Sequence, residues 1–514
     1  MRNTLLQIKS TTSFPTNWKE LQWKQIRKYV NRLQQRIYRA ESLGNKRKTR
    51  QLQRLLMRSK AVLLLSIRRI TQENKGRKTA GVDGITIQTD IERMNLYRKM
   101  CNRTIAYHNP KPSYRTYIKK KNGKLRPLSI PVIIDRIWQN VMKMALEPQW
   151  EYRFEPTSYG FRPERGCHDA IERIYKYLVF GKRRWVFEGD FKGCFDNLNH
   201  SHILEQIKGI PNRKVIEKWL RAGYVDDGLF YSTKSGSGQG SVISPLLANV
   251  ALHGMEKALG IKYYVNKRSD GYTWAVNPTA YAMTRYADDF VVMCNTKQQA
   301  ESVYNKLKPY LAQRGLELEE TKTKTKIVEV TKGFDFLGFN IRRYKTAKGE
   351  QLFIKPSKDS IKKSKRKISD ITYQVRGHKV DVLIQKLNPV ILGIANYWRP
   401  EVSTKAFADM DKHIVNVTYR FLRRTHRKKN NKWIRERYFR EDYRGISANR
   451  WILSSPNQHN LQLMKMTWVH IKRHVLIKHD ASPFNAELAK YFKDRKRKSR
   501  NQENGKKVCL SCMS

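Results

Sequence analysis

Two adjacent carboxylates set between apolar segments constrain this chain more than any other feature. In Arg285-Tyr286-Ala287-Asp288-Asp289-Phe290-Val291-Val292-Met293-Cys294 the pattern predicts a strand, a turn and a second strand, lifting Asp288 and Asp289 to the edge of a buried sheet. Burying one unpaired carboxylate is costly and two side by side cost more, so the pair must meet a cation. Hard oxygen ligands, with no His or Cys in the turn itself, suit Mg²⁺ rather than Zn²⁺. An isolated Asp-Asp is also an ordinary solvated hairpin turn, so the pair needs support from elsewhere in the chain.

That support is Arg184-Trp185-Val186-Phe187-Glu188-Gly189-Asp190-Phe191-Lys192-Gly193-Cys194-Phe195-Asp196, a largely apolar strand delivering a third carboxylate, Asp190, at its end. Three carboxylates from two strand ends can hold two divalent ions. One ion activates a 3′-hydroxyl and the other steadies the leaving pyrophosphate, as in two-metal polymerases. With these motifs the chain resembles the reverse transcriptase/maturase proteins encoded by group II introns, from about Trp18 to about Arg500. The resemblance implies an α+β fold: fingers and palm of a right-hand polymerase with an antiparallel palm sheet, then an α-helical thumb (maturase X) and a small basic helical DNA-binding region. The implied division is 1–80 for an N-terminal extension of basic helices, 81–345 for fingers and palm, 346–425 for the thumb, 426–500 for the DNA-binding region and 501–514 for a tail. It further implies that Asp190, Asp288 and Asp289 are catalytic and ligate two Mg²⁺ ions, with the backbone carbonyl of Phe191 as an added ligand. Asp196, beyond the strand end, is expected to be structural.

Charge identifies the class of partner independently of these motifs. Lys and Arg outnumber Asp and Glu by 104 to 44, a net charge of +60 over 514 residues. Such a chain repels itself unless a polyanion neutralises it. Basic residues run along the whole length, which suits a long groove tracking many phosphates and an affinity that falls steeply with salt. No run of about 18 apolar residues occurs, and no long amphipathic basic helix stands apart from a core to lie on a membrane. Up to Thr16 the apolar residues are too scattered for a signal peptide. Six cysteines do not form a disulfide framework in a chain this long, so a reducing compartment is expected; the resemblance implies bacterial cytoplasm in association with the nucleoid, or alternatively an organelle matrix or stroma.

The remaining motifs take their roles from the resemblance. Basic helices over about 18–70 read as the grip on template RNA ahead of Thr79-Ala80-Gly81-Val82-Asp83-Gly84. Two strand-like runs joined by Asn122-Gly123 predict a basic hairpin, in which Lys120 and Arg126 are expected on the incoming nucleotide's phosphates. Arg162 and Arg165, in a loop with Tyr159 and Phe161, are expected on a nucleic-acid backbone. Phe195 is expected beneath the sugar, where an aromatic ring clashes with a ribose 2′-hydroxyl. Gln239 lies in the Gly-rich run Ser235–Asn249, beside the nucleotide. Gly238 stands where the family usually has Pro, and Ser241 where it has a second Gly. Lys322 or Lys324, in the repeated Thr-Lys run, is expected to protonate pyrophosphate. Lys363 and Arg366, in a basic helical stretch, are expected on the template-primer duplex. Cys509 and Cys512 read as the start of a truncated HNH-type nuclease, half a zinc site.

The chain therefore reads as an RNA-directed DNA polymerase that copies intron RNA into cDNA, and as a maturase that promotes splicing and retrohoming. Its expected partners are group II intron RNA, template RNA, primer or target DNA and dNTPs, with no membrane and no obligate protein partner. An RNA-binding maturase with an idle polymerase site, and a viral-type RNA-dependent RNA polymerase, are the alternatives. Intact Asp190, Asp288, Asp289 and Gln239 argue against the first, and an aromatic at Phe195 argues against the second.

Overall fold

The structure is a computed structural model and describes residues 17–119, 123, 125–267, 273–319, 325–445 and 451–503. It opens with helices Trp23–Ser42, Lys46–Met57 and Lys60–Arg68. The first places Ile26, Val30, Leu33 and Ile37 on one buried face and its Arg and Lys residues elsewhere. Asn45 starts the second by accepting from Lys48 N, and Thr89 with Glu92 closes a capping box on the helix Asp90–Cys101. These helices pack on the long helix Ile133–Arg153, to which buried amides tie them: Gln34 donates to Met144 O and Gln53 to Gln149.

The strands in chain order are β1 (Ser113–Lys119), β2 (Leu125–Ile130), β3 (Trp185–Gly189), β4 (Tyr224–Asp226), β5 (Leu229–Tyr231), β6 (Tyr264–Lys267), β7 (Thr273–Val276), β8 (Tyr281–Tyr286), β9 (Asp289–Cys294), β10 (Lys326–Glu329), β11 (Phe334–Phe336), β12 (Phe339–Thr346) and β13 (Gly349–Pro356). Fingers strands run β2-β1-β4-β5, palm strands β10-β3-β9-β8, and β11-β12-β13 form a third sheet. All palm pairings are antiparallel.

The palm sheet is a wall between two hydrophobic cores. Phe187, Met283, Phe290, Val292 and Cys294 face a core shared with the N-terminal helices and Lys297–Ala312, while Val186, Ala282, Val291 and Met293 face a core shared with the thumb. Burial on both faces explains why β9 is continuously apolar rather than alternating. Asp190, Asp288 and Asp289 lie at the strand ends, where this apolar setting stops.

The thumb is built from helices Lys358–Gln374, Val380–Trp398 and Thr404–Thr425. Within the second, the Asn388 side chain donates to Gln462 O and accepts from Met464 N, joining the C-terminal region to the thumb. That region also docks on the helix Cys167–Leu178: Arg473 pairs with Glu172, and His474 and Arg495 both reach Asp169. Phe334, Phe336 and Phe339 are core residues beneath the thumb, Phe339 stacking on Tyr397. No described helix is long and apolar enough to cross a membrane.

Candidate active site

Strand register brings the three carboxylates to one end of the palm. Gly189 pairs with Phe290 in the antiparallel β3–β9 ladder, so Asp190, one residue beyond Gly189, and Asp289, one residue before Phe290, leave the sheet side by side. Gly189 is required there, because a Cβ would lie 2.1 Å from the Phe290 ring. Asp288 sits in the tight β8–β9 turn, where Tyr286 pairs with Asp289. Backbone bonds fix the other side: Glu319 N donates to Asp190 O at 2.9 Å and Lys192 N to Glu317 O at 3.0 Å.

The charges of the three groups act on one another. Crowding by protein, followed by the charges of Asp288 and Asp190, raises the Asp289 carboxyl to about 6, although the side chain still reaches solvent. Burial first, and then Asp288, lifts the neighbouring Cys194 thiol to about 12. Repelling carboxylates with only oxygen donors fit a hard divalent cation, which would lower that repulsion. Among the described residues no three His, Cys, Asp or Glu side chains are grouped closely enough to hold a metal ion as they stand, and the three carboxylates meet through their charges.

The turn bearing Asp288 is clamped from beneath by residues the sequence reading gave no role. Ala287 has φ +60, a left-handed conformation unfavourable for a residue with a Cβ. Its carbonyl accepts from Arg285 Nη1 at 3.1 Å, and the same nitrogen donates to Asn249 Oδ1 at 2.9 Å. Asn249 Nδ2 in turn donates to Gly160 O at 2.8 Å. Gly160 packs so closely on the turn that a Cβ there would lie 2.3 Å from Ala287 N. Arg285 is fully buried, and its charge is held near Glu155. A lone Arg among the apolar residues of β8 was the available signal, but its side-chain partner Asn249 lies 36 residues away.

Around the carboxylates, Phe195 sits on the short helix Cys194–Asn197, its ring edge-on to Phe161 at 6.2 Å. The Gln239 loop lies between that helix and the fingers: Ser237 N donates to Phe195 O at 2.8 Å, and Ser129 N donates to Gln239 O at 2.6 Å. Gly238 has φ +60, which proline cannot adopt, so this loop cannot follow the course a Pro-bearing relative would take. Ser241 Oγ is bound to Gln139. Arg126 is exposed on β2.

Arg162 and Arg165, expected on nucleic acid, are instead buried struts. Arg162 grips Glu151 through Nε and Nη2, while its Nη1 donates to Glu155 O and Ser158 O. Arg165 donates to Pro156 O, His479 O and Ala481 O, holding the C-terminal region. Arg366 is exposed on the helix Lys358–Gln374, and Lys363 on the same helix pairs with Asp359. Lys120, Lys322, Lys324, Cys509 and Cys512 lie outside the described residues.

A palm of antiparallel strands with three carboxylates at one end, under fingers and a helical thumb, defines a right-hand nucleic-acid polymerase. Comparison with known proteins narrows the class. Residues 118–341 match the family described as reverse transcriptase (RNA-dependent DNA polymerase), 18–100 the N-terminal domain of reverse transcriptase, and 361–439 the group II intron maturase-specific domain. Protein YkfC of Escherichia coli K12 is 37% identical over 308 residues, covering 55% of this chain and 81% of that protein. The group II intron-encoded protein LtrA of Lactococcus lactis subsp. cremoris is 31% identical over 321 residues, 52% of this chain and 53% of LtrA, so the match spans about half of that relative. A solved telomerase from Candida albicans aligns with a TM-score of 0.35 at 12% identity, over 64% of this chain and 65% of that one. The chain belongs to the family of group II intron reverse transcriptases that carry a maturase domain.

Proposed function

We propose that this chain copies group II intron RNA into DNA from dNTPs and, through its maturase domain and basic surfaces, binds that RNA to promote splicing and retrohoming. One observation carries the polymerase half: the β3–β9 register that sets Asp190 beside Asp289 and the Asp288 turn. Asp190, Asp288 and Asp289 would hold two Mg²⁺ ions, with the Phe191 carbonyl beside them. Bound there, the ions supply activation of the primer hydroxyl and stabilisation of the charge on the leaving pyrophosphate.

The chain's own groups do the rest. Phe195 closes the space beside the sugar and excludes a 2′-hydroxyl. Gln239, fixed through its backbone to Ser129, orients the nucleotide. Arg126 meets its phosphates, as Lys120 would from the same hairpin, and Lys322 or Lys324 protonates the pyrophosphate. Arg366 and Lys363 on the thumb lie against the duplex. Arg162 and Arg165 drop out of the nucleic-acid-binding set, since both side chains are buried and bonded to groups within the protein.

The test is primer extension on an RNA template with Mg²⁺, run beside an RNA-binding assay. Asp288→Ala is expected to abolish synthesis and spare binding, and Phe195→Ala to admit rNTPs. Undiminished synthesis by Asp288→Ala would remove the polymerase reading. An unchanged dNTP preference in Phe195→Ala would remove the gate.

A further inference from the structure

The fingers sheet carries a column of side chains for which the polymerase reading has no use. Ser129 on β2 pairs directly with Arg115 on β1, and Tyr224 on β4 pairs with Tyr231 on β5. Directly paired residues share a face. That face carries the Gln239 loop, because a Cβ on Gly238 would lie 3.6 Å from the Cβ of Ser129. Along it the Arg115 guanidinium lies 3.7 Å over the Tyr224 ring, and Tyr224 stacks on Tyr231 with centroids 5.3 Å apart and planes 17° from parallel. Tyr117, two residues on from Arg115, donates its hydroxyl to Asp226 and holds β1 to β4 beside the column on the same face. β5 is the last strand of the sheet, and Tyr231 is 43% exposed.

We propose that this column is a stacking site for an unpaired base of the RNA template strand ahead of the active site, the base lying on Tyr231 in continuation of the Arg115–Tyr224–Tyr231 series. The inference rests on the polymerase reading and adds to it where the incoming template is held. Three features favour RNA as the occupant. The outermost plane is aromatic and backed by a cation, which suits the π-face of any base and so a template of any sequence. The chain's net charge of +60 suits a polyanionic strand. The column is also continuous with the nucleotide loop: three strand spacings, roughly 14 Å, separate Ser129 from Tyr231, a distance that a few unpaired nucleotides cover. Arg115 and Lys119, alternate residues of β1, share this face and are expected to meet the phosphates, while Asp226 at the β4–β5 turn is engaged by the Tyr117 hydroxyl.

The full-length chain is given two primed RNA templates, one ending at the templating base and one with a long unpaired 5′ overhang carrying 2-aminopurine at successive positions. For the long template, Tyr231→Ala and Tyr224→Ala are expected to raise the KM roughly tenfold at unchanged kcat, a loss in the range of one base stack. Both should leave the short template unaffected, and Tyr231→Phe should behave as the wild type. Fluorescence quenching at one overhang position should be present in the wild type and absent in Tyr231→Ala. Equal KM changes on both templates, or quenching that survives in Tyr231→Ala, would overturn the site; the second result would leave the sheet edge to a protein partner. Quenching is read on binding alone, so a wild-type chain that bound but did not extend would count against the polymerase reading while the quench still decided the column.

Discussion

Gly160→Ala should slow nucleotide addition without weakening RNA binding, because Gly160 is the floor beneath the Asp288-Asp289 turn. The added Cβ would lie 2.3 Å from Ala287 N and 2.9 Å from both Ala287 Cα and Cβ, all of them backbone or the first side-chain atom, so no flexible end can swing aside. Restoring ordinary contact at 3.4 Å requires the turn to rise by about 1 Å. The rise shifts Asp288 and Asp289 relative to Asp190, whose position is fixed independently by the 2.9 Å bond from Glu319 N to its carbonyl. A displacement of that size at reacting atoms costs on the order of 10²-fold in rate, and overpacking of this kind costs about 1–3 kcal/mol in stability. Single-turnover incorporation of one dNTP on an RNA template measures the first and thermal unfolding the second. Gly166→Ala is the control, since the nearest atom to its Cβ would be Asp169 Oδ2 at 3.9 Å. A Gly160→Ala enzyme that is well folded and within about threefold of wild type would refute the clamp, since about 10²-fold is expected.

Two further outcomes follow from buried networks. Asn249→Ala strands Arg285 Nη1 from one of its two acceptors and leaves Gly160 O without its donor; a loss of about 1–3 kcal/mol in thermal unfolding, with a fall in kcat rather than a rise in KM for template, is the expected pair of results. Asp169 is buried, which raises its pKa, but the His474 hydrogen bond, the Arg495 charge and the Ile477 N–H outweigh burial and hold it at about 2. A depressed carboxyl stabilises the fold above its unfolded pKa and loses that contribution as pH falls from about 4 to about 2, some 2 kcal/mol in all. Acid titration of stability should show that loss in wild type and not in Asp169→Asn, whose segment 473–497 should become accessible to protease at neutral pH.

The sequence showed most of the palm and little of what supports it. β3 and β9 were legible because each is a short apolar run with an Asp at one end, after β3 and at the start of β9, and burial between two cores leaves no alternation to obscure it. Asp190 could be grouped with Asp288 and Asp289 because all three stand at the ends of such runs. Arg162 and Arg165 misled because an arginine in a loop with aromatics looks the same whether its partner is phosphate or protein. What decided Arg162 was Glu151, 11 residues earlier on another element, and what decided Arg165 was the carbonyl of His479, 314 residues later. The clamp of Gly160, Asn249 and Arg285 was invisible for the same reason: hydrogen bonds between three distant segments leave no local pattern. The left-handed φ of Gly238 shows in turn how a departure at one residue changes a loop whose neighbouring motif is intact.

The most direct measurement is the single-turnover rate of one dNTP addition on a primed RNA template, taken across Mg²⁺ concentration for wild type and for Asp190→Asn, with RNA affinity determined on the same samples. Asp190 lies about a hundred residues from the Asp288 turn and meets it only through the β3–β9 register, so its removal tests that convergence and nothing local to the turn. The expected rate is lower by about 10³-fold or more at every Mg²⁺ concentration, with RNA affinity unchanged. An Asp190→Asn chain that extends the primer at the wild-type rate would contradict that convergence.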